Sequence, residues 1–389
     1  MSINESDFGF KPDIKNNQIL FGMKALNSVG APIIEKIITG RPYTSFKDFL
    51  SRCKLNKTAM ISLIKAGAFD KICQDWAKEF NIEPRLFAMI YYLTIACEPK
   101  SKLNLQNFNG LIQRDLIPKE LGFQKQVFVL NKILKSKKKG MYYLFPQLVP
   151  QITDFYNQNF ESDELEVIQG HICIKQKTWD KMYQTAMDAA RDWLKINQQE
   201  VLSKFNQSLF HEAWTKYAKG TISSWEMEAL CFYYHDHELI EVDEQRYGIV
   251  DFTTLPSEPL VDRTFKRNGK EIPLYKIFRI AGTVISKNDT RHSISLLTTH
   301  GVVNIKFSKE YFALYGRQIS ELQSDGTKKV KEKGWFTRGT KLLVQGFRRD
   351  DTFVAKTYKS TPGHQLYKIT KIDGSQLEVT HERYKEQEV

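Results

Sequence analysis

Ala25-Leu-Asn-Ser-Val-Gly-Ala-Pro-Ile-Ile-Glu-Lys-Ile-Ile38 is the stretch on which the reading of the fold turns. A helix end, a turn closed by Gly30 and a second helix with Pro32 in its first turn describe a helix-hairpin-helix. Gly30 suits a turn position with positive φ, and Pro32 suits a position whose amide would be unpaired in any case. Amides exposed at the second helix's N-terminus, aided by its dipole, can hold a phosphate without reading sequence. A plain αα-hairpin with a glycine turn satisfies the same residues. A second unit follows within twenty residues: Ser45-Phe-Lys-Asp-Phe-Leu50, Lys54-Leu-Asn-Lys57, then Met60, Leu63 and Ile64 at helical spacing. Two such units in tandem read as a clasp for duplex backbone over residues 19–70. Its candidate contacts are Lys24, Asn27, Ser28, Val29, Gly30, Lys54, Asn56 and Lys57.

Outward from this stretch the chain runs to 389 residues with 57 Lys+Arg against 45 Asp+Glu, a net charge of +12. At about 150 residues per domain that length favours two to three domains. A composition 41% hydrophobic and 12% aromatic excludes wholesale disorder. The absence of an apolar run of about 18–20 residues or of a signal segment reads as a soluble protein without a membrane partner. Five scattered Cys without a CxxC predict neither a disulfide frame nor a zinc ribbon. Cys231, His235 and His237 lack a second cluster to complete four ligands, so no metal site is expected. The positive balance points to a polyanion, most simply nucleic acid.

Residues 1–18 are polar and weakly periodic. Residues 71–225 read as a helical, divergent middle region, interrupted by the basic loop Lys135-Ser-Lys-Lys-Lys139 and by breaks at Pro146 and Pro150. Over 180–217 an amphipathic pattern sets Met182, Ala186, Ala189, Trp193 and Ile196 on one side. Residues 226–274 read as a connecting segment. Beyond it the period changes to that of strands at Phe278-Arg-Ile-Ala-Gly-Thr-Val-Ile285, Ser293-Ile-Ser-Leu-Leu297 and Val302-Val-Asn-Ile-Lys-Phe307. A short helix at Lys309–Leu314 and strands at 341–346 and 352–358, joined by Asp350-Asp351, follow. Three strands, a helix and two strands predict a five-stranded OB-fold over 275–360, with 361–389 as a C-terminal tail. The fold class is therefore α+β: a helical N-terminal region, a helical middle and a C-terminal barrel.

Arg279, Lys306, Phe307 and Lys356 lie on the predicted barrel strands, and Lys328, Lys329, Lys331, Lys333 and Trp335 in its densest basic and aromatic loop. Single-stranded DNA is held in this manner, with bases stacked on aromatic rings and cations tracking phosphates. A solvated charge run, with Trp335 and Phe336 capping the barrel, accounts for the same loop.

Four segments in order, Asn4-Glu-Ser6, Ile19-Leu-Phe-Gly22, Val29-Gly30 and Leu63-Ile-Lys-Ala-Gly-Ala-Phe-Asp70, resemble one stretch of the bacterial replicative DNA polymerase III α subunit, a C-family polymerase. In that family the stretch joins the end of the fingers to a tandem helix-hairpin-helix. Trp225-Glu-Met-Glu-Ala-Leu-Cys-Phe-Tyr233 with His237 is similar to the family's lead into its OB domain, with Cys231 where a Gly is usual. The first hairpin departs from the usual Lys-Gly-Val-Gly and reads Asn27-Ser-Val-Gly30.

The resemblance implies a C-terminal portion of such a polymerase. The family's palm carries three Asp, two of them in a D-x-D pair, to hold the metal ions of phosphoryl transfer. No D-x-D occurs here. The resemblance thus implies a chain non-catalytic alone, with no cofactor of its own. The catalytic half and its Mg2+ would sit on another chain, in the cytoplasm of a bacterial cell and encoded by a phage. A free-standing DNA-binding protein derived from a polymerase tail is the alternative. The resemblance also implies a sliding-clamp peptide near Asn206-Gln207-Ser208-Leu209-Phe210, whose Leu202, Phe205, Leu209 and Phe210 equally fit the buried stripe of a helix.

Overall fold

The structure, a computed structural model, describes residues 1–138, 140–143, 152–168, 171–322 and 328–384. Lys139, Pro146 and Pro150 of the sequence reading lie outside them. The chain divides into two compact units, Met1–Met89 with Gly220–Val389, and Ile90–Lys219. Among the described residues no helix is long and apolar enough to cross a membrane.

The first unit opens with a small hairpin, β1 (Lys11–Asp13) and β2 (Gln18–Leu20), followed by α1 (Ala31–Thr39), α2 (Phe46–Arg52), α3 (Lys57–Lys65), α4 (Asp70–Glu79) and α5 (Pro84–Ala96). Pro32 lies in the first turn of α1, as predicted. The positive φ of the turn belongs to Ser28, at 66°, while Gly30 is extended at −82°. The expectation for Gly30 is thus corrected. The chain reverses two residues earlier, and Gly30 serves as the N-cap. Ser45 caps α2 by accepting from the Asp48 amide at 3.1 Å, and Asn56 caps α3 by accepting from the Ala59 amide at 2.8 Å. Ile34, Ile37, Leu63 and Ile64 turn inward, beside a cluster in which Phe46 and Phe49 meet Phe69 at 4.7 and 4.9 Å. The opening Asn4 is locked to this core by reciprocal bonds with the Tyr43 backbone, 2.8 Å each way.

The second unit holds α6 (Phe108–Gln113), α7 (Gly122–Ile133), α8 (Ile152–Asn159), α9 (Gln176–Ile196) and α10 (Gln198–Tyr217). It also contains a four-stranded antiparallel sheet, ordered β3-β4-β6-β5, of β3 (Lys135–Lys138), β4 (Met141–Tyr143), β5 (Leu165–Ile168) and β6 (His171–Lys175). The basic loop expected from 135 is therefore a strand over Lys135–Lys138. The pattern over 180–217 is two helices, broken at Asn197. The buried stripe of α9 is Trp179, Ala186, Met187, Ala190 and Leu194, while Ile196 is 83% exposed. The expected face is rotated by about one residue, because Trp179 sets the register by burying its ring and donating Nε1 to Asn131 at 2.9 Å.

Within the first unit the chain continues through α11 (Ile222–Leu230), α12 (Glu244–Tyr247) and the hairpin β7 (Val261–Arg267) and β8 (Lys270–Tyr275). The barrel follows: β9 (Phe278–Asn288), β10 (Ser293–Thr298), β11 (Gly301–Lys306), α13 (Lys309–Gly316), the hairpin β12 (Ile319–Leu322) and β13 (Lys328–Glu332), β14 (Lys341–Arg349) and β15 (Thr352–Ala355). β9 pairs with β10, β10 with β11, β11 with β15 in parallel, β15 with β14, and β14 with β9. That ring is the closed five-stranded barrel of an OB-fold, with α13 between its third and fourth strands. Val284, Leu296, Ile305, Leu342 and Phe353 fill it. The segment 361–389, read as a tail, carries a further hairpin, β16 (Leu366–Asp373) and β17 (Gln376–Thr380), which extends the sheet from β14.

A buried ionic knot ties α4 and α5 to α11. Arg85, 4% exposed, donates to Asp70 and to the fully buried Glu226, each at 2.7 Å. Glu226 also accepts from the amides of Tyr234 and His235 at 2.8 and 2.9 Å. Burial disfavours charge on Glu226, but the His235 amide and Arg85 outweigh it and hold the carboxyl below its usual range. Gly67 makes room for the knot, since at φ 75° a Cβ would fall 2.3 Å from the guanidinium. Further along, His237 Nε2 donates to the Leu297 carbonyl of β10 at 3.0 Å and Nδ1 accepts from the Leu239 amide at 3.0 Å. Tyr233 Oη donates to Glu238, which pairs with Lys341 of β14 at 3.0 Å. These bonds seat the connecting segment on the barrel.

Replacing Arg85 by Met strands two carboxylates and should lower unfolding free energy by about 3–5 kcal/mol in urea titrations. Burial lowers the pKa of His237, so its neutral form is the folded one. The unfolded chain then binds the extra proton, and stability falls as pH drops below about 6.5. Urea midpoints between neutral and mildly acid pH should show that fall, and His237→Gln should remove its share of the slope.

Candidate nucleic-acid interface

Lys36, on the exposed side of α1, donates Nζ to the Lys54 carbonyl at 2.9 Å. That bond sets a cation of the first hairpin against the loop that opens α3. Lys54 and Asn56 are exposed and Lys57 is half-buried, so Lys36, Lys54 and Lys57 form one basic edge beside the Asn56-capped helix start. Sequence reading passed over Lys36 because helical spacing alone does not tell which turn of α1 faces the second hairpin. Lys24 is exposed and lies 5.2 Å over the ring of Phe8. Asn27 donates to the Glu228 carbonyl at 3.3 Å, and Ser28 and Gly30 are exposed. Val29 is a core residue, so its side chain anchors the turn and cannot meet a ligand.

On the barrel, alternate residues of β10, β11 and β15 face outward: Ser293, Ser295, Asn304, Lys306, Thr352 and Val354. Ser295 bridges Ser286 and Asn304 at 2.8 and 3.0 Å, giving a polar ladder across three strands. Lys306 is exposed on this face, and Lys356 is exposed just beyond β15. Phe307 points inward and packs on Phe336 at 4.8 Å. Trp335 is 0% exposed, stacks near Tyr315 and donates Nε1 to Glu332 at 2.6 Å. Neither ring presents a face to a base, which corrects their assignment as stacking residues. Both close the barrel end under α13. Arg279 is turned away from the outward face, donating to the Tyr247 carbonyl at 3.0 Å.

The expected loop over 328–336 begins as strand β13, paired with β12. Lys328, Lys329 and Lys333 are exposed, while Lys331 is paired with Glu321. Glu332, within the same basic run, gathers Trp335, Arg383 and the Tyr384 amide. The run is therefore partly structural. Two hairpins here went unnoticed although turn chemistry marks both: Asn268-Gly269 between β7 and β8, and Gly374-Ser375 between β16 and β17.

The segment 206–210 lies inside α10. Asn206 exchanges bonds with the Lys100 backbone at 2.8 and 2.9 Å, Phe205 is buried, Leu209 packs on the same core and Phe210 stacks on Trp214. As a helix so engaged it does not offer an extended peptide. Cys231, His235 and His237 go to separate partners, Arg338, Glu226 and Leu297. Among the described residues no group of three or more His, Cys, Asp or Glu could hold a metal ion.

Capped tandem helices with a basic edge, followed by an OB barrel, define a class of DNA-handling architecture, and a helix-hairpin-helix motif family matches residues 1–78. The chain is similar in sequence to DNA polymerases, the polymerase III α subunit among them, in line with the resemblance read from its sequence. It is 37% identical over 383 residues to a probable DNA polymerase, YorL, of Bacillus subtilis and to a DNA-directed DNA polymerase of Bacillus phage SPbeta. Those alignments cover 95% of this chain and 28% of either relative, so the chain spans a little over a quarter of their length. The DNA polymerase III subunit alpha of Thermus aquaticus is 41% identical over 91 residues, 22% of this chain and 7% of that protein.

Trp335→Ala should cost about 3–5 kcal/mol of barrel stability, measured by urea unfolding, because it empties a filled core position and removes one of the donors to Glu332.

Proposed function

We propose that this chain is the DNA-binding portion of a C-family replicative polymerase. It grips primer-template duplex through residues 19–70 and works with a catalytic portion on a separate polypeptide. The observation that carries this reading is the Lys36–Lys54 contact, which unites the cations of both hairpins into one edge beside a capped helix start. Such an edge suits phosphate contact without sequence readout. The barrel, through Lys306, Lys356 and the polar ladder, takes single-stranded template. The acidic residues and Mg2+ of nucleotide transfer belong, in this reading, to the catalytic portion. The bacterial and phage origin of the relatives supports action in a bacterial cytoplasm. The helical packing of Leu209 and Phe210 argues against a clamp tether at 206–210.

Purified alone, the chain should bind primer-template DNA and leave the primer unextended when Mg2+ and nucleotides are supplied. Lys54→Ala with Lys57→Ala should weaken duplex binding about equally for all sequences. It should also flatten the log affinity against log salt slope by about 2, at roughly 0.9 for each phosphate no longer neutralised. Addition of the catalytic portion should restore extension. Binding that persists without any such restoration would favour a free-standing DNA-binding protein.

A further inference from the structure

The β7–β8 hairpin lies outside both DNA-contacting regions just described. Its turn residues Asn268 and Gly269 have φ of 52° and 73°, the paired positive values of a type I′ turn. The base is fixed to the barrel. The Lys276 amide donates to the Leu260 carbonyl at 2.8 Å, the Tyr275 amide donates to Tyr358 Oη at 3.1 Å, and the Tyr275 ring packs on Phe347 at 4.7 Å. Arg263 is also bonded to Ser360. Residues 261–266 of β7 and 268–271 at the turn are all exposed. A two-stranded ribbon in water is marginally stable, so one held this firmly at its root and bare beyond it is placed for contact.

Register decides what the ribbon presents. Phe265 pairs with Ile272, Arg263 with Leu274, and Lys270 with the residue two beyond Phe265, so Arg263, Phe265, Lys270 and Ile272 share one face. Phe265 is 42% exposed. The opposing charges are few: Asp262 lies 3.7 Å from Arg263, and Glu271 pairs with Lys266 on the other face. Over 260–276 the sequence carries five Lys and Arg against two acidic residues. At the root, Arg349 sits over Tyr275 at 5.9 Å, which continues the basic track onto the barrel turn after β14.

We infer that the β7–β8 hairpin is a single-stranded-DNA-binding arm, with Phe265 as a base-stacking platform and Arg263 and Lys270 on the phosphates. The inference rests on the nucleic-acid reading above and supplies what the outward barrel face lacks, an exposed ring between cations. Base–aromatic stacking tolerates any base, and charge complementarity to a polyanion selects this occupant over a protein surface.

The test uses the full chain, a labelled oligo-dT of about 30 nucleotides and a blunt duplex of about 20 base pairs, with affinities taken at several salt concentrations. Arg263→Ala/Lys270→Ala should weaken oligo-dT binding about tenfold or more and flatten its salt slope by about 1.4, at roughly 0.7 for each phosphate no longer neutralised. Phe265→Ala should weaken it about fivefold or more with the salt slope unchanged. Duplex binding should stay within about twofold in both variants, while Lys54→Ala/Lys57→Ala loses it. Oligo-dT binding equal to that of the unaltered chain, or equal losses on both probes, overturns the arm and leaves the duplex clasp standing. Failure of the unaltered chain to bind either probe overturns both readings.

Discussion

Arg85 is the side chain on which the arrangement of the first unit depends. A guanidinium 4% exposed could not stay in that interior without Asp70 and Glu226, and Glu226 could not without Arg85 and two backbone amides. The three residues come from α4, α5 and α11, with more than a hundred residues of sequence between α5 and α11. Their mutual need joins the helix-hairpin-helix region to the segment that leads into the barrel. Lys65 and Glu228, paired at 2.5 Å, add a second ionic contact between α3 and α11. Apolar packing would hold these helices together in many registers. Directional ionic bonds in a buried site accept few.

From α11 onward the same logic passes to the barrel. Tyr233, His237 and Glu238 bond to β9, β10 and β14, and Leu239 and Val242 pack with Ala281 and Leu343. One outer side of the barrel sheet is thereby covered. The side formed by β10, β11 and β15 stays open, polar and nearly without rings. The anchoring residues therefore decide which part of the barrel is left open to a ligand.

Much of this was legible in advance where local chemistry is strong. Pro32 in a first turn, Ser45 and Asn56 as caps, and the strand–helix–strand order after residue 275 all rest on short-range preferences that tertiary packing did not oppose. The sheet of the second unit was missed because its strands are three to five residues long and sit among helices. The turn at Ser28 was misplaced because a glycine nearby offered the simpler account. Asn268-Gly269 and Gly374-Ser375 were plain hairpin signals and could have been used. Rings in a basic run, by contrast, carry no mark of which way they point. Trp335 and Phe307 went inward because α13 needed aromatic volume beneath it.

The sequence by itself determined the two kinds of element, the helix-hairpin-helix and the OB barrel, and the likeness to DNA polymerase III α. Those depend on caps, periodicity and local motifs that survive without long-range context. Only the tertiary structure decided which cations share an edge, which aromatic side chains are spent on the core and which hairpin stands exposed. Lys36 meets Lys54 with the whole of α2 between them in sequence, Arg85 meets Glu226 across 141 positions, and Trp335 meets Tyr315 under a helix. Contacts of that range are set by how whole elements pack, and no short window of the chain contains both partners.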